Sequence, residues 1–179
     1  LVMEFVDGPS ILERVTESGP LPVNLALTVL IQVAGALEYA HQKKIIHRDL
    51  RPANILLARD GGSKLIDLGT AKWLESSGLG SMTQSGSLFS DFNYVAPEQI
   101  VGTGPINARV DLYALGATAY FMLTGKAPFT AKTLNDLLKS FRAYIEQHKA
   151  EITALQILYS RPYKQRLSEP MLKELEKKL

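Results

Sequence analysis

A chain of 179 residues with 46% hydrophobic and 21% charged side chains can bury one core and reads as a single globular domain. Its formal charge of +2 is too small to make a nucleic acid or other polyanion the expected partner, and the lack of cysteine excludes disulfides and thiolate metal sites. The longest apolar-looking run, 112–125, falls short of the roughly 18 residues a membrane span needs, so no membrane contact is expected in this segment.

The chain opens in mid-pattern at Leu1-Val2-Met3, as a piece of something longer would. LVMEFVDG predicts a short strand running into the Asp7-Gly8 turn, and PSILERVTESG predicts one or two helical turns closed by Gly19. From Pro22 to about Gln42, Leu25, Val29, Val33, Ala36, Leu37 and Ala40 recur at helical spacing behind a proline tolerated in a first turn. ILLARDGGSKLIDLG predicts two short strands joined at Asp60-Gly61-Gly62. Residues 75–93, rich in Ser and Gly and without a period, predict a long, mobile loop. NARVDLYALGATAYFMLTG predicts a buried apolar helix ended by Gly125. A further helical pattern runs from Asp136 to about Ser160 through Leu137, Leu138, Phe141, Tyr144, Ile145, Ile152 and Leu155. Ser168 can cap a last amphipathic helix carrying Leu172, Leu175 and Leu179. The fold class expected is mainly α with short β-hairpins.

Between the second helix and the hairpin, IIHRDLRPANILL places five polar groups within eight positions, His47 to Asn54. Asp49, Asn54 and Asp67 are hard oxygen donors of the kind Mg²⁺ takes. Asn54 and Asp67 stand 13 residues apart at the two ends of the hairpin, which folding brings together, with Asp49 close enough to share the same mouth. Arg51 adds a fixed positive charge, and a base, two metal-binding groups and a cation are the parts of phosphoryl transfer. Singly each is weak: Asp-Leu-Gly is more often a turn than a metal site, and His-Arg-Asp more often a surface loop or buried ion pair. His47, with His41 and Asp49 nearby, falls short of a zinc ligand set.

Order and spacing resolve the ambiguity. HRDLRPAN resembles the catalytic loop of the protein kinase family, DLG at 67–69 its metal-binding motif, and APE at 96–98 the end of its activation segment. DLYALG at 111–116 resembles the buried helix behind that loop, and LVMEFVDG the hinge. The resemblance covers residues 1 to about 130 and favours the serine/threonine branch. It implies the family's large C-terminal lobe, with residues 1–8 as hinge segment, 9–142 as the lobe with catalytic loop and activation segment, and 143–179 as its helical end or an appended extension. Asp49 is implied as catalytic base, Asn54 and Asp67 as the Mg²⁺ ligands, and Arg51 as the cation on the transferred phosphate. Adenine of ATP is implied at the backbone of Glu4 and Val6, with Met3 as gatekeeper, Leu56 under the ring, and Asp7 or Ser10 reaching the ribose. Asp111 is implied to hold the catalytic loop, with His47 and Arg48 mainly structural. Arg48 is also a candidate partner for a phosphate on Ser81, Thr83, Ser85, Ser87 or Ser90.

The implied activity is transfer of the γ-phosphate of ATP to a Ser or Thr hydroxyl of a protein, in a cytoplasmic setting. Neither a glycine-rich phosphate loop nor the strand lysine and helix glutamate that grip ATP is present in these residues. The small lobe is therefore an expected partner, and the chain alone is expected to be inactive. Arg51 and Asp91 depart together from the family pattern, and an Arg51–Asp91 pair is expected to compensate. Arg166 is a candidate partner for Glu98. Two other readings compete: a pseudokinase-like binding scaffold, opposed by the intact polar set, and a small-molecule phosphotransferase, opposed by YVAPEQI.

Overall fold

The computed structural model describes residues 4–68, 91–101, 106–131 and 133–149. The chain divides into two units, Leu1–Leu134 and Asn135–Leu179. Among the described residues the architecture is mostly helical, with one two-stranded sheet.

Helix α1, Ile11–Ser18, begins where Ser10 and Glu13 satisfy each other's end groups. The Glu13 N–H donates to Ser10 Oγ (3.2 Å), and the Ser10 N–H donates to Glu13 Oε2 (2.7 Å). Gly19 ends the helix at φ 78°, its N–H donating to Val15 O at 2.9 Å. Helix α2, Val23–Gln42, follows Pro22 and buries Ala26, Val29, Val33, Leu37 and Ala40. That stripe advances by three and four residues, one face of a 3.6-residue helix. Leu25 and Ala36, expected on the stripe, are exposed, because they lie about a quarter-turn to its side.

The described part of the opening segment, residues 4–8, is not a strand. Residues 4–9 are extended but irregular, lying along the free edge of strand β1, Ile55–Leu57. The Leu57 N–H donates to Pro9 O (2.8 Å) and the Arg59 N–H to Asp7 O (3.2 Å), while Ser10 bridges Leu56. Pro9 has no N–H to return, so a regular ladder cannot form. Gly8 lies so close to this edge that an added Cβ would stand 1.8 Å from Leu57 O. On its other edge β1 pairs antiparallel with β2, Ser63–Leu65, in the register Ile55↔Leu65, Leu56↔Lys64 and Leu57↔Ser63. The turn closes through the Ala58 N–H to Gly62 O (2.8 Å), with Gly61 at φ 86°.

Past the loop region, a 3₁₀ turn spans Asp91–Tyr94, so the last residues of the expected loop are ordered turn. Helix α3, Pro97–Val101, and helix α4, Arg109–Thr124, follow. Gly125 ends α4 in the left-handed region at φ 71°. The core of the unit joins α1, α2, the hairpin and α4 through Ile11, Val15, Val29, Leu37, Leu50, Ile55, Phe121 and Met122. Each such side chain stabilises the fold by about 1.5–3 kcal/mol relative to exposure.

The longest apolar segment is α2 and not 112–125. By length and composition α2 alone among the described helices could cross a membrane. Here it packs its inward stripe against α4 and β2, as the core helix of a folded unit does. The second unit is described through helix α5, Leu134–Gln147, and the rest of the pattern expected to Ser160 lies outside the described residues from 150 on. Residues 150–179, with the expected Ser168 cap, lie outside the described residues.

Candidate active site

The polar loop 45–54 is anchored from below. Asp111, in the first turn of α4, is fully buried and receives three donors. The His47 N–H reaches its Oδ2 at 2.9 Å, the Arg48 N–H its Oδ1 at 2.8 Å, and His41 Nε2 its Oδ2 at 2.7 Å. A buried carboxylate is costly unless its oxygens are satisfied, and here both are. The clamp also holds Arg48 at φ 66°, a left-handed conformation worth about 1–2 kcal/mol of strain for a residue with a Cβ. Arg48 O in turn accepts from Gln99 Nε2 (3.1 Å), whose Oε1 accepts the Ala96 N–H (3.2 Å), tying the loop to α3.

His47 is fully buried and links the two halves of the site. Its Nε2 meets Ile66 O at 2.9 Å, and its Nδ1 meets the Asp49 N–H at 3.3 Å. A carbonyl only accepts and an amide N–H only donates, so the neutral ring carries its proton on Nε2. It thereby spans from the loop to the residue before Asp67. No group of three His, Cys, Asp or Glu residues suited to a metal occurs among the described residues, and His41 is engaged with Asp111.

Asp49 and Asn54 face each other across the loop. Asn54 is buried, and its Nδ2 donates both to Asp49 O (2.8 Å) and to Asp49 Oδ2 (3.0 Å). With both amide protons used, Oδ1 is the remaining polar atom of that side chain. Arg51 Nε lies 3.6 Å from Asp49 Oδ1, both side chains about a third exposed. The Ile66 N–H donates to Asn54 O (3.0 Å), extending the hairpin ladder one step beyond Ile55↔Leu65. Asp67 therefore follows directly at the open end, exposed and at φ 65°. Asp49, Arg51 and Asn54 are in mutual contact, and the backbone brings Asp67 to the same end.

The remaining sequence candidates lie along the extended segment beside β1. Glu4 pairs with Lys64 at 3.5 Å, and Asp7 with Arg59 at 2.9 Å, both at exposed positions where such pairs contribute little. Among the described residues the backbone groups of Glu4 and Val6 bond to no other backbone group. Leu56 is half-buried beside Ser10. The Ser10 hydroxyl is buried and committed to the α1 cap, donating to Glu13 Oε2 at 2.9 Å. Met3, the phosphorylatable residues 81–90, the Asp91 side chain and Arg166 lie outside the described residues. Neither the Arg51–Asp91 nor the Arg166–Glu98 pairing falls within them.

Two contributors escaped the sequence reading. Gln99 carried no motif, and only its position one residue past the APE triplet could have pointed to it. His41 was weighed only as a zinc neighbour, although helical spacing puts it one residue past the buried Ala40. Next to the site, Tyr94 lies edge-on to Phe121, ring centroids 6.2 Å apart, and burial pushes its phenol up to about 12. Tyr113 is pushed up as well, by burial first and then by the charge of Glu98.

The family model for the protein kinase domain matches residues 1–179. Among curated relatives, a probable serine/threonine-protein kinase of Clostridium perfringens is 42% identical over 129 residues, covering 72% of this chain and 18% of the relative. Serine/threonine-protein kinase PknB of Mycobacterium tuberculosis is 39% identical over 130 residues, 73% of this chain and 20% of the relative. Serine/threonine-protein kinase PrkC of Bacillus subtilis is 38% identical over 133 residues, 74% and 20%. The chain thus matches about a fifth of the length of each of these relatives.

Proposed function

This chain belongs to the eukaryotic-like serine/threonine protein kinase family, and from that premise we propose that it forms the large lobe of an enzyme moving the γ-phosphate of ATP to a protein Ser or Thr hydroxyl. The observation that carries the reading is the contact of Asp49 with Asn54 at the end of the hairpin where Asp67 emerges.

The donor set suits Mg²⁺. That ion is held by one or two carboxylates together with substrate phosphates and water, so an all-protein cage is not required. Asn54 Oδ1 and the Asp67 carboxylate are the proposed ligands, both hard oxygens. When bound, the ion neutralises phosphate charge. Asp49 takes the proton of the acceptor hydroxyl as that oxygen bonds to phosphorus and the bond to the departing ADP oxygen breaks. The Asn54 amide, donating to Asp49 Oδ2, orients the carboxylate for that task. Arg51 balances charge on the transferred group. Adenine is assigned to the backbone of Glu4 and Val6, with Met3 and Leu56 framing the ring. The ribose is assigned to Asp7, because the Ser10 hydroxyl is engaged in the helix cap.

The glycine-rich loop and the strand lysine are assigned to residues outside this chain, which carries neither. The 179 residues alone are therefore expected to be inactive, and a cytoplasmic setting belongs to the same proposal. The test uses the full-length protein with radiolabelled ATP and Ser- or Thr-containing peptides. Label should appear on Ser or Thr, and Asp49→Asn should lower the rate by about 10²–10⁴-fold while leaving ATP affinity unchanged. ATP binding without any transfer would favour a scaffold and contradict the proposal.

A further inference from the structure

Gln99, in the short helix α3, makes one hydrogen bond in each direction. Its Oε1 accepts the Ala96 N–H at 3.2 Å, and its Nε2 donates to Arg48 O at 3.1 Å. The partners fix which end of the amide is which, since an N–H only donates and a carbonyl only accepts. Ala96 is fully buried, so its N–H needs that acceptor. Turning the amide over would set donor against donor and acceptor against acceptor. The Nε2 end is therefore held toward the catalytic loop.

What it holds there is one peptide plane. The Arg48 carbonyl and the Asp49 N–H belong to the same planar unit and are anchored at opposite edges. Gln99 takes the carbonyl at 3.1 Å, and His47 Nδ1 takes the N–H at 3.3 Å. The second bond is the longer, beyond the roughly 2.7–3.2 Å of most such bonds, so Gln99 supplies the firmer hold. The plane needs one. Arg48 sits at φ 66°, a conformation that a residue with a Cβ leaves unless its surroundings tie it down. Asp111 Oδ1 ties the peptide before Arg48, and Gln99 the peptide after it. Rotation of that second peptide would re-aim the Asp49 carboxylate, now 3.0 Å from Asn54 Nδ2. We propose that Gln99 is a positioning residue for phosphoryl transfer, aiming the Asp49 carboxylate by locking the Arg48–Asp49 peptide. The inference rests on the kinase reading above, in which Asp49 is the base.

The experiment uses the full-length protein and two variants. Gln99→Met keeps the length of the side chain and loses both bonds, while Gln99→Glu keeps the acceptor for Ala96 and loses only the donor to Arg48. Peptide phosphorylation, affinity for a fluorescent ATP analogue, and exchange of the Asp49 amide with deuterated water are measured for each. Both variants should lower kcat by about 10–10²-fold, the scale of a small misplacement at a reacting centre, with peptide KM and ATP affinity unchanged. The Asp49 amide should exchange about tenfold faster, a local opening. In an Asp49→Asn background Gln99→Met should cost nothing further, because the group it aims is already gone. A parent-like kcat in both variants, unchanged exchange at Asp49, or the same loss with and without the Asp49 carboxylate would overturn the proposal. Should Gln99→Met fail to fold, Gln99→Glu, which keeps the tie at the start of α3, carries the same comparisons. Faster exchange at Asp49 in both variants of a protein that phosphorylates no peptide would uphold the lock on the peptide and sink the transferase reading instead.

Discussion

Asp111 shows how much one buried carboxylate can organise. It holds two consecutive amides, one of them on a residue in a left-handed conformation, and a histidine from α2. Asp111→Ala strands these donors in the interior and should cost roughly 3–5 kcal/mol in urea unfolding. Asp111→Asn, which keeps one acceptor, should cost less. A second residue-scale effect is set by Tyr94. An unfolded tyrosine loses its proton near pH 10, whereas the buried phenol keeps it to about 12. Its contribution is therefore intact below pH 10 and is lost as pH rises toward 12, by roughly 2–3 kcal/mol. Unfolding followed from pH 9 to pH 12 should show that decline, and Tyr94→Phe should flatten part of it. Tyr113, shifted the same way, accounts for a remainder.

At the scale of elements, legibility followed how local the determining forces were. The α1 cap, the α2 periodicity, the hairpin turn and the Gly125 stop rest on contacts within a few residues, and those elements lie where local chemistry puts them. The opening segment does not, because its state is set by the edge of β1, more than forty residues away in sequence. Its short apolar run promised a strand, while Pro9 and the tight approach at Gly8 allow only an irregular stretch. Gly8→Ala would drive a methyl into Leu57 O and push the segment off that edge, costing about 1–3 kcal/mol. Since this segment is the proposed adenine seat, the variant should also weaken nucleotide binding in the full-length protein, read by titration with a fluorescent ATP analogue. The phase of the α2 stripe was missed at Leu25 and Ala36 for a similar reason: period alone does not say which neighbouring face the partner helix covers.

Across the whole molecule, the polar cluster was legible because motif order constrains spacing, and the hairpin then closes that spacing in three dimensions. What holds the cluster was less legible. Gln99 and His41 act through folded geometry: Gln99 ties the loop to α3, and His41 joins α2 to the buried Asp111 that holds the loop. The apolar character of α2 was under-read: a helix apolar enough to pass for a membrane span is here the spine against which α4 and the hairpin pack. The account stands on Asn54 and Asp67 acting together on a divalent cation while Asp49 does separate work. The measurement closest to that claim is the ATP affinity of the full-length protein titrated with Mg²⁺, for the parent and for the Asp67→Asn and Asp49→Asn variants. Mg²⁺ should tighten ATP binding to the parent and to Asp49→Asn alike, and Asp67→Asn should lose about tenfold or more of that gain. Parent-like Mg²⁺ dependence in Asp67→Asn would contradict it.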